Sequence, residues 1–166
     1  MRLFLASYAN VDYYDEIKRD LSPYFEAKWV EPRNLHLTWF FLGEHPSHEE
    51  ISSRLQPLKM IPKNPLSIQG FGTFGEPEPK VFFLKTSTVI SSIFHRKIVD
   101  LLGMEPDYEF KPHITMARIK KLHSDGFKHI GKPWMSEPLG TVEPSIYLIE
   151  SRLTQNGPIY IPIEEF

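Results

Sequence analysis

Two segments of the sequence carry the same pattern, a histidine and a threonine separated by one apolar residue in a short strand-like run. The first segment is NLHLTWFFLG, from Asn34 to Gly43, and the second is FKPHITMAR, from Phe110 to Arg118. Successive side chains of a strand point to opposite faces, so each histidine shares a face with the threonine two residues later. The two histidines are 113 minus 36, or 77, residues apart, which is close to half of the 166-residue chain. The pattern therefore predicts two similar halves that each contribute one polar strand.

The other patterns favour an α+β fold. In each half, a stretch of helical periodicity is followed after a turn by the His-x-Thr strand. We therefore predict a bilobal architecture of two pseudo-symmetric lobes, each an antiparallel sheet backed by helices, with a central cleft between them. Residues 1–166 are expected to form a single domain. The helix over SSIFHRKIVDLLG is expected to bury Ile93, Phe94, Ile98 and Leu101, together with Ile90 directly before this run.

Composition excludes several kinds of site and partner. The chain has no cysteine, which rules out disulfides, thiolate zinc sites and cysteine nucleophiles. The apolar start MRLFLASYAN is too short for a signal-peptide core, and no apolar run approaches the length of a membrane span. We expect a cytoplasmic protein, monomeric and without a membrane partner.

The charge is unevenly distributed along the chain. The formal net charge of -2 gives no general reason to expect a duplex nucleic-acid binder. Between Lys111 and Lys132, however, six lysines and arginines stand against one acid, Asp125. Such a cluster is typical of a solvated surface as often as of a binding surface.

Two other motifs are considered and set aside. The run GFGTFG matches a dinucleotide-binding pattern, but EPEP and a strand follow it where a phosphate-binding helix should begin. Two histidines without a third protein ligand do not make a catalytic zinc site, so neither a metal nor another cofactor is expected. Surface or capping roles are expected for His45, His48, His95, His123 and His129.

Paired His-x-Thr strands suit acid and base chemistry at a phosphate. If both strands face the cleft, His36 and His113 can serve as an acid and a base, because the unperturbed histidine pKa lies near neutrality. In-line phosphoryl transfer needs such groups on opposite sides of phosphorus. The hydroxyls of Thr38 and Thr115 can donate hydrogen bonds to the non-bridging oxygens. A cyclic phosphodiester fits this arrangement, since ring opening needs only an activated water and a protonated leaving oxygen.

Phe40 is a further candidate for substrate contact. Strict alternation places it on the His36 face, two residues beyond Thr38, where it could stack on a terminal base. A core phenylalanine is the alternative. Trp39 and Phe41, on the other face, are expected to lie in the core.

The motifs HLTWFFLG and HITMAR resemble the paired signatures of the two-histidine phosphoesterase superfamily, in particular the LigT-like RNA 2′,3′-cyclic phosphodiesterases. MRLFLA, FGTFGEPEPKVFFL and YLIESRL with GPIY are also similar to that branch. The resemblance implies hydrolysis of an RNA 2′,3′-cyclic phosphate to a 2′-phosphate, with His113 as general base and His36 as general acid. Thr38 and Thr115 would hold the phosphate. Arg118 matches the arginine that commonly ends the second motif, although strict alternation places it on the face opposite His113.

Other substrates and functions remain open from the sequence. The same histidine pair occurs in relatives that act on small nucleotide cyclic phosphates, oligoadenylates or RNA tails, and in relatives that join tRNA halves by the reverse reaction. The expected partners are therefore RNA ends, such as tRNA fragments, or nucleotide cyclic phosphates. A binding module that recognises RNA ends or nucleotides without turnover is an alternative, as is an interaction scaffold.

Overall fold

The computed structural model describes residues 1–130 and 132–166. The strands are β1 (Arg2–Val11), β2 (Phe25–Trp29), β3 (His36–Glu44), β4 (Leu66–Phe74), β5 (Val81–Thr86), β6 (His113–Leu122), β7 (Pro138–Val142), β8 (Tyr147–Thr154) and β9 (Gly157–Glu165). The helices are α1 (Tyr14–Leu21), α2 (Glu49–Leu55), α3 (Thr88–Leu102) and α4 (Phe127–Ile130). Short 3-10 helices span Ser22–Tyr24, Pro32–Asn34, Gln56–Met60 and Lys132–Met135.

All described strand pairs are antiparallel, and they fall into two groups. One group contains β3, β1, β8 and β9, and the other contains β2, β6, β5, β4 and β7. The groups are joined twice, where β1 pairs with β7 and where β3 pairs with β6. The predicted α+β class is confirmed, and the strands of the two halves belong to one hydrogen-bonded network.

One face of this network packs against the helices and forms the main core. On β1, Leu3 and Leu5 belong to this core, whereas Phe4 and Ala6 belong to a small separate cluster on the opposite face. Helix α1 contributes Ile17 to the main core. The helix-free face therefore remains available for a site, and it is the face that carries the two histidines.

Helix α3 buries only part of the predicted stripe: Ile98 is buried, and Phe94 and Leu101 are partly buried against the core. Its buried residues are Ser91, His95, Ile98, Val99 and Leu102. Ile90 and Ile93 are 57% and 60% exposed, so the prediction that they are buried is wrong. The helix is apolar on more than one side, and packing against the sheet selects the stripe that begins at Ser91.

His95 lies in the core rather than on the surface. It is 8% exposed, and its ring centroid lies 4.0 Å from that of Phe110. Among the residues that the structure describes, its Nε2 has no hydrogen-bond partner. Burial lowers the pKa of His95, so the neutral ring is favoured there. The expected surface or capping role is therefore wrong for this histidine.

The glycine-rich run GFGTFG belongs to a strand and the turn after it. Gly70 and Gly72 lie in β4, and Gly75 begins the connection to β5. Close packing requires a glycine at position 72, because a side-chain carbon there would lie 2.7 Å from the ring of Phe83. As the sequence predicts, no helix follows this run directly. Among the described residues, no helix is long and apolar enough to cross a membrane.

Candidate active site

The two His-x-Thr strands lie side by side. β3 and β6 pair at Leu37 and Ile114, which are both fully buried. In antiparallel pairing about this point, His36 lies across from Thr115, and Thr38 lies across from His113. All four polar side chains are half-buried and lie on the face opposite Leu37. The structure thus brings together the four residues that the sequence pattern singles out.

Each histidine is held by a backbone carbonyl two residues earlier in the chain. Nδ1 of His36 lies 2.7 Å from the carbonyl oxygen of Asn34, and Nδ1 of His113 lies 2.6 Å from that of Lys111. A carbonyl oxygen can only accept, so Nδ1 carries the hydrogen in both rings. Nε2 of each ring is therefore left for proton transfer, as acceptor when neutral and donor when protonated.

Aromatic rings pack against both histidines. The ring of His36 lies 5.4 Å from that of Phe4 and 5.3 Å from that of Tyr160. The ring of His113 lies 4.9 Å from that of Phe74 and 5.5 Å from that of Phe83. These contacts limit the orientations open to the imidazoles, which are fixed in addition by the Nδ1 hydrogen bonds.

Burial and nearby cations lower the pKa of both histidines. Burial is the largest cause for His36, and the positive charges of His113 and Arg118 lower its pKa further. For His113, burial is again the largest cause, and the positive charge of Arg118 lowers its pKa further. The carbonyl hydrogen bonds act in the opposite direction, because they favour the protonated ring. A neutral imidazole is therefore readily available as a base.

A bulge in β3 changes which residues share the His36 face. The pairing with β1 passes from Thr38 directly to Phe40, so Trp39 is the extra residue. Both Trp39 and Phe40 are buried, and Nε1 of Trp39 donates to Oγ of Ser7 at 2.8 Å. Phe41, which is 57% exposed, then returns to the face of His36.

The predicted position of Phe40 is therefore wrong. Phe40 is 4% exposed, and its ring lies 6.4 Å from that of His95 in the core. Strict alternation fails because the bulge moves Phe40 and Phe41, the residues directly after it, by one position. Phe40 thus takes the alternative core role, and Phe41 is exposed rather than buried as expected.

A second bulge brings Arg118 to the His113 face. The pairing of β6 with β5 passes from Thr115 to Ala117, so Met116 is the extra residue. Met116 and Ala117 are both fully buried, whereas Arg118 is exposed. Arg118 acts on the pKa of both histidines and also on that of Tyr160. The expectation from strict alternation, that Arg118 lies opposite His113, is wrong for the same physical reason as for Phe40.

An open cavity of about 350 Å³ adjoins His113 and Thr38. Its lining includes the aromatic side chains of Phe41, Phe74 and Tyr108. The backbone N–H of Phe41 donates to the hydroxyl oxygen of Tyr108 at 3.2 Å, which ties the loop before β6 to β3. Sequence reasoning missed these three residues as site residues. Tyr160 was missed too, although it lies in the GPIY segment that carries part of the family resemblance.

Across residues 1–130 and 132–166, no cluster of three or more histidine, cysteine, aspartate or glutamate side chains is placed to hold a metal ion. The donors that converge on the cleft are two imidazoles, two threonine hydroxyls and one guanidinium, and these suit an anion.

The model of the 2′-5′ RNA ligase superfamily matches residues 10–124, a segment that contains both His-x-Thr strands. The chain belongs to this superfamily. The sequence-based assignment to the two-histidine phosphoesterases is thereby confirmed.

Curated members of the superfamily match nearly the whole chain. An Archaeoglobus fulgidus protein named RNA 2′,3′-cyclic phosphodiesterase is 31% identical and covers 100% of this chain and 99% of its own length. An Aquifex aeolicus protein of the same name is 30% identical over 92% of this chain and 87% of its own length. These full-length relatives agree with the expectation that the chain is an enzyme.

Solved structures within the superfamily share the fold. A Thermus thermophilus protein superposes with a TM-score of 0.77 at 29% identity, covering 100% of this chain and 97% of its own. Escherichia coli LigT in complex with 3′-AMP superposes with a TM-score of 0.70 at 20% identity, covering 99% and 96%. At that identity the LigT comparison supports the LigT-like fold.

Proposed function

We propose that the protein hydrolyses the 2′,3′-cyclic phosphate at an RNA 3′ end to a 2′-phosphate, without a metal ion. The observation that carries this proposal is the pairing of β3 with β6, which sets two imidazoles of defined tautomer beside two threonine hydroxyls. The relatives named RNA 2′,3′-cyclic phosphodiesterase support the choice of substrate.

In the proposed mechanism, His113 is the general base and His36 the general acid, as the family resemblance implies. Nε2 of neutral His113 takes a proton from water while the water oxygen attacks phosphorus. The bond between phosphorus and O3′ breaks, and O3′ receives the proton from Nε2 of protonated His36. Turnover leaves His113 protonated and His36 neutral, and proton exchange with solvent restores the starting state.

The cyclic phosphate is held by Thr38, Thr115 and Arg118. Each threonine lies across from the histidine of the other strand, so the hydroxyls donate to the non-bridging oxygens between the two imidazoles. Arg118 supplies a positive charge that opposes the negative charge of the phosphate. In the free protein, the same positive charge lowers the pKa of both histidines.

The terminal nucleobase occupies the cavity beside His113. Phe41 offers an exposed ring, and Tyr108 and Phe74 complete an aromatic lining next to Thr38. Stacking on aromatic side chains accepts any base, so this subsite is expected to tolerate all four nucleotides. Phe41 replaces Phe40 in this role.

The test is a product analysis on an RNA oligonucleotide that ends in a 2′,3′-cyclic phosphate, with a chelator present. We expect a 2′-phosphate product from the wild-type protein and its loss in His36→Ala and in His113→Ala. The exposed His123 provides a matched control, and His123→Ala is expected to retain activity. A 3′-phosphate product would contradict the assigned polarity, and dependence on a metal would contradict the mechanism. Tight binding of the oligonucleotide with no turnover would favour the binding-module alternative.

A further inference from the structure

Four cations lie together on the strand pair β2 and β6, beyond the catalytic residues. Lys28 pairs with Arg118 across the two strands, and Lys120 and Lys121 follow along β6. We refer to Lys28, Arg118, Lys120 and Lys121 as the basic strip. All four side chains are exposed.

The basic strip lies on the same side of the sheet as the active site. Between its members, Ile119 and its partner Ala27 pack towards the main core. The pairing of β2 with β6 then skips Lys120, so that Lys120 and Lys121 both stay exposed before Leu122 returns to the core. This third bulge concentrates positive charge on one side of β6 instead of alternating it between faces.

These cations have few acids close to them. Among the described residues, none of the four forms an ion pair, although Lys59 and Lys111 each do so elsewhere. Glu26 lies across from Lys121, so the charge of Lys121 is the one in the basic strip that an acid opposes most directly. Lys28 and Lys120 are therefore the residues that best test it.

The basic strip is continuous with the catalytic centre. Arg118 is near enough to both histidines and to Tyr160 to influence all three electrostatically. The turn of the β8–β9 hairpin borders the basic strip at the same end, where a side-chain carbon at Gly157 would lie 3.1 Å from Nζ of Lys28, the partner of Arg118. The basic strip therefore begins beside the centre at Arg118 and Lys28 and runs outward along β6 to Lys121.

Lys120 is too distant to contact the cyclic phosphate itself. It follows Thr115 by five residues along β6, and because Met116 is the extra residue of a bulge, this corresponds to about four regular steps, or about 13 Å at the usual rise of a strand. A lysine side chain does not span that distance. A ligand that contacts both Thr115 and Lys120 must therefore be longer than a single nucleotide and negatively charged along its length.

We propose that the basic strip binds the phosphodiester backbone of the nucleotides on the 5′ side of the terminal one, so that the protein prefers RNA chains to cyclic mononucleotides. This inference rests on the proposed function, which places the terminal cyclic phosphate between the two threonines. Lysine contacts to backbone phosphates are independent of sequence, so the preference is for chain length rather than for particular bases.

The experiment compares kcat/KM for 2′,3′-cyclic AMP with that for a five-nucleotide RNA ending in the same cyclic nucleotide. Lys28→Gln and Lys120→Gln are each expected to lower kcat/KM on the pentanucleotide about two- to fivefold, the effect of about one exposed ion contact. Both variants should leave the rate on 2′,3′-cyclic AMP unchanged. Each is also expected to reduce the salt dependence on the pentanucleotide by about 0.7 in the slope of log(kcat/KM) against log[salt]. Lys97→Gln, an exposed lysine on α3, is the matched control and should change neither substrate.

The outcomes separate this inference from the proposed function. If the wild type hydrolyses both substrates equally well and with equal salt dependence, the basic strip has no role while the proposed function stands. Turnover of neither substrate overturns the proposed function. In that case, fluorescence anisotropy with the same labelled pentanucleotide tests the basic strip directly, and unchanged affinity in a Lys28→Gln, Lys120→Gln double variant overturns the inference as well.

Discussion

Replacing Phe41 by alanine tests whether the cavity beside His113 holds the nucleobase. Stacking of a base on an aromatic side chain contributes about 1–3 kcal/mol by alanine substitution, which is about 5- to 150-fold in kcat/KM. Phe41 is 57% exposed and contacts Phe4 and Tyr108 only at ring separations of 6.3 and 6.2 Å. Its removal should therefore change the free energy of unfolding by no more than about 0.5 kcal/mol. We expect a loss near the lower end of the kinetic range, because one face of the ring stays open to water.

The assay compares 2′,3′-cyclic AMP with a ribose 2′,3′-cyclic phosphate that carries a methyl group in place of the base. Phe41→Ala is expected to lower kcat/KM for the nucleotide about 5- to 30-fold, since roughly 1–2 kcal/mol of stacking is lost, and to leave the base-free compound unchanged. Ile159→Ala, at a similarly exposed apolar position of 53%, is the control and should change neither rate. An equal loss on both compounds would refute the reasoning, because Phe41 would then act through the fold and not through the base.

Three further predictions concern acid–base chemistry and the junctions of the sheet. Burial and nearby positive charge lower the pKa of His36 and of His113, so the bell-shaped pH profile of kcat/KM should be centred below about pH 6.5. The profile of kcat should be centred at higher pH, because the bound substrate is an anion and favours protonated histidine. A centre above about pH 7 for kcat/KM would contradict this prediction. Leu37→Ala, at a fully buried position, should cost about 2–5 kcal/mol in urea unfolding, and a loss below about 1 kcal/mol would show that the β3–β6 junction is not closely packed. Gly140→Ala should destabilise the protein by at least about 2 kcal/mol, because the new carbon would lie 1.9 Å from a backbone oxygen of β1. Gly43→Ala, where φ is also positive but no atom lies within 4 Å, should cost only about 1–2 kcal/mol in the same assay, and equal effects would contradict the steric argument.

The pairing of His36 with Thr38, and of His113 with Thr115, could be predicted because alternation is a local property of a strand. It requires no knowledge of the neighbouring strands, and both pairs lie before the first irregularity of their strand. The meeting of the two strands could also be anticipated, since a repeated polar pattern at half-chain spacing suggests two equivalent halves around a shared cleft. These inferences depend on near neighbours in the chain.

Features that depend on distant partners could not be read from the sequence. The positions of Phe40 and Arg118 are set by bulges, which exist only because the neighbouring strands have a fixed register. Helix α3 has apolar residues on more than one side, so the sheet decides that Ile90 is exposed and His95 is buried. The pattern of EPLGTV does not predict strand β7, because proline and glycine interrupt its apolar residues.

The bulges that follow Thr38 in β3 and Thr115 in β6 occupy equivalent positions. They explain how one repeated unit presents two different side chains to the site. In each strand the order is histidine, apolar residue, threonine, two buried residues and then an exposed residue. That exposed residue is Phe41 in the first half and Arg118 in the second. Because the same irregularity turns both towards the cleft, the halves match in their histidine and threonine and differ at one position. The aromatic ring suits a nucleobase and the cation suits a phosphate, so under the proposed function this difference gives a near-symmetric site a direction along which an RNA end binds.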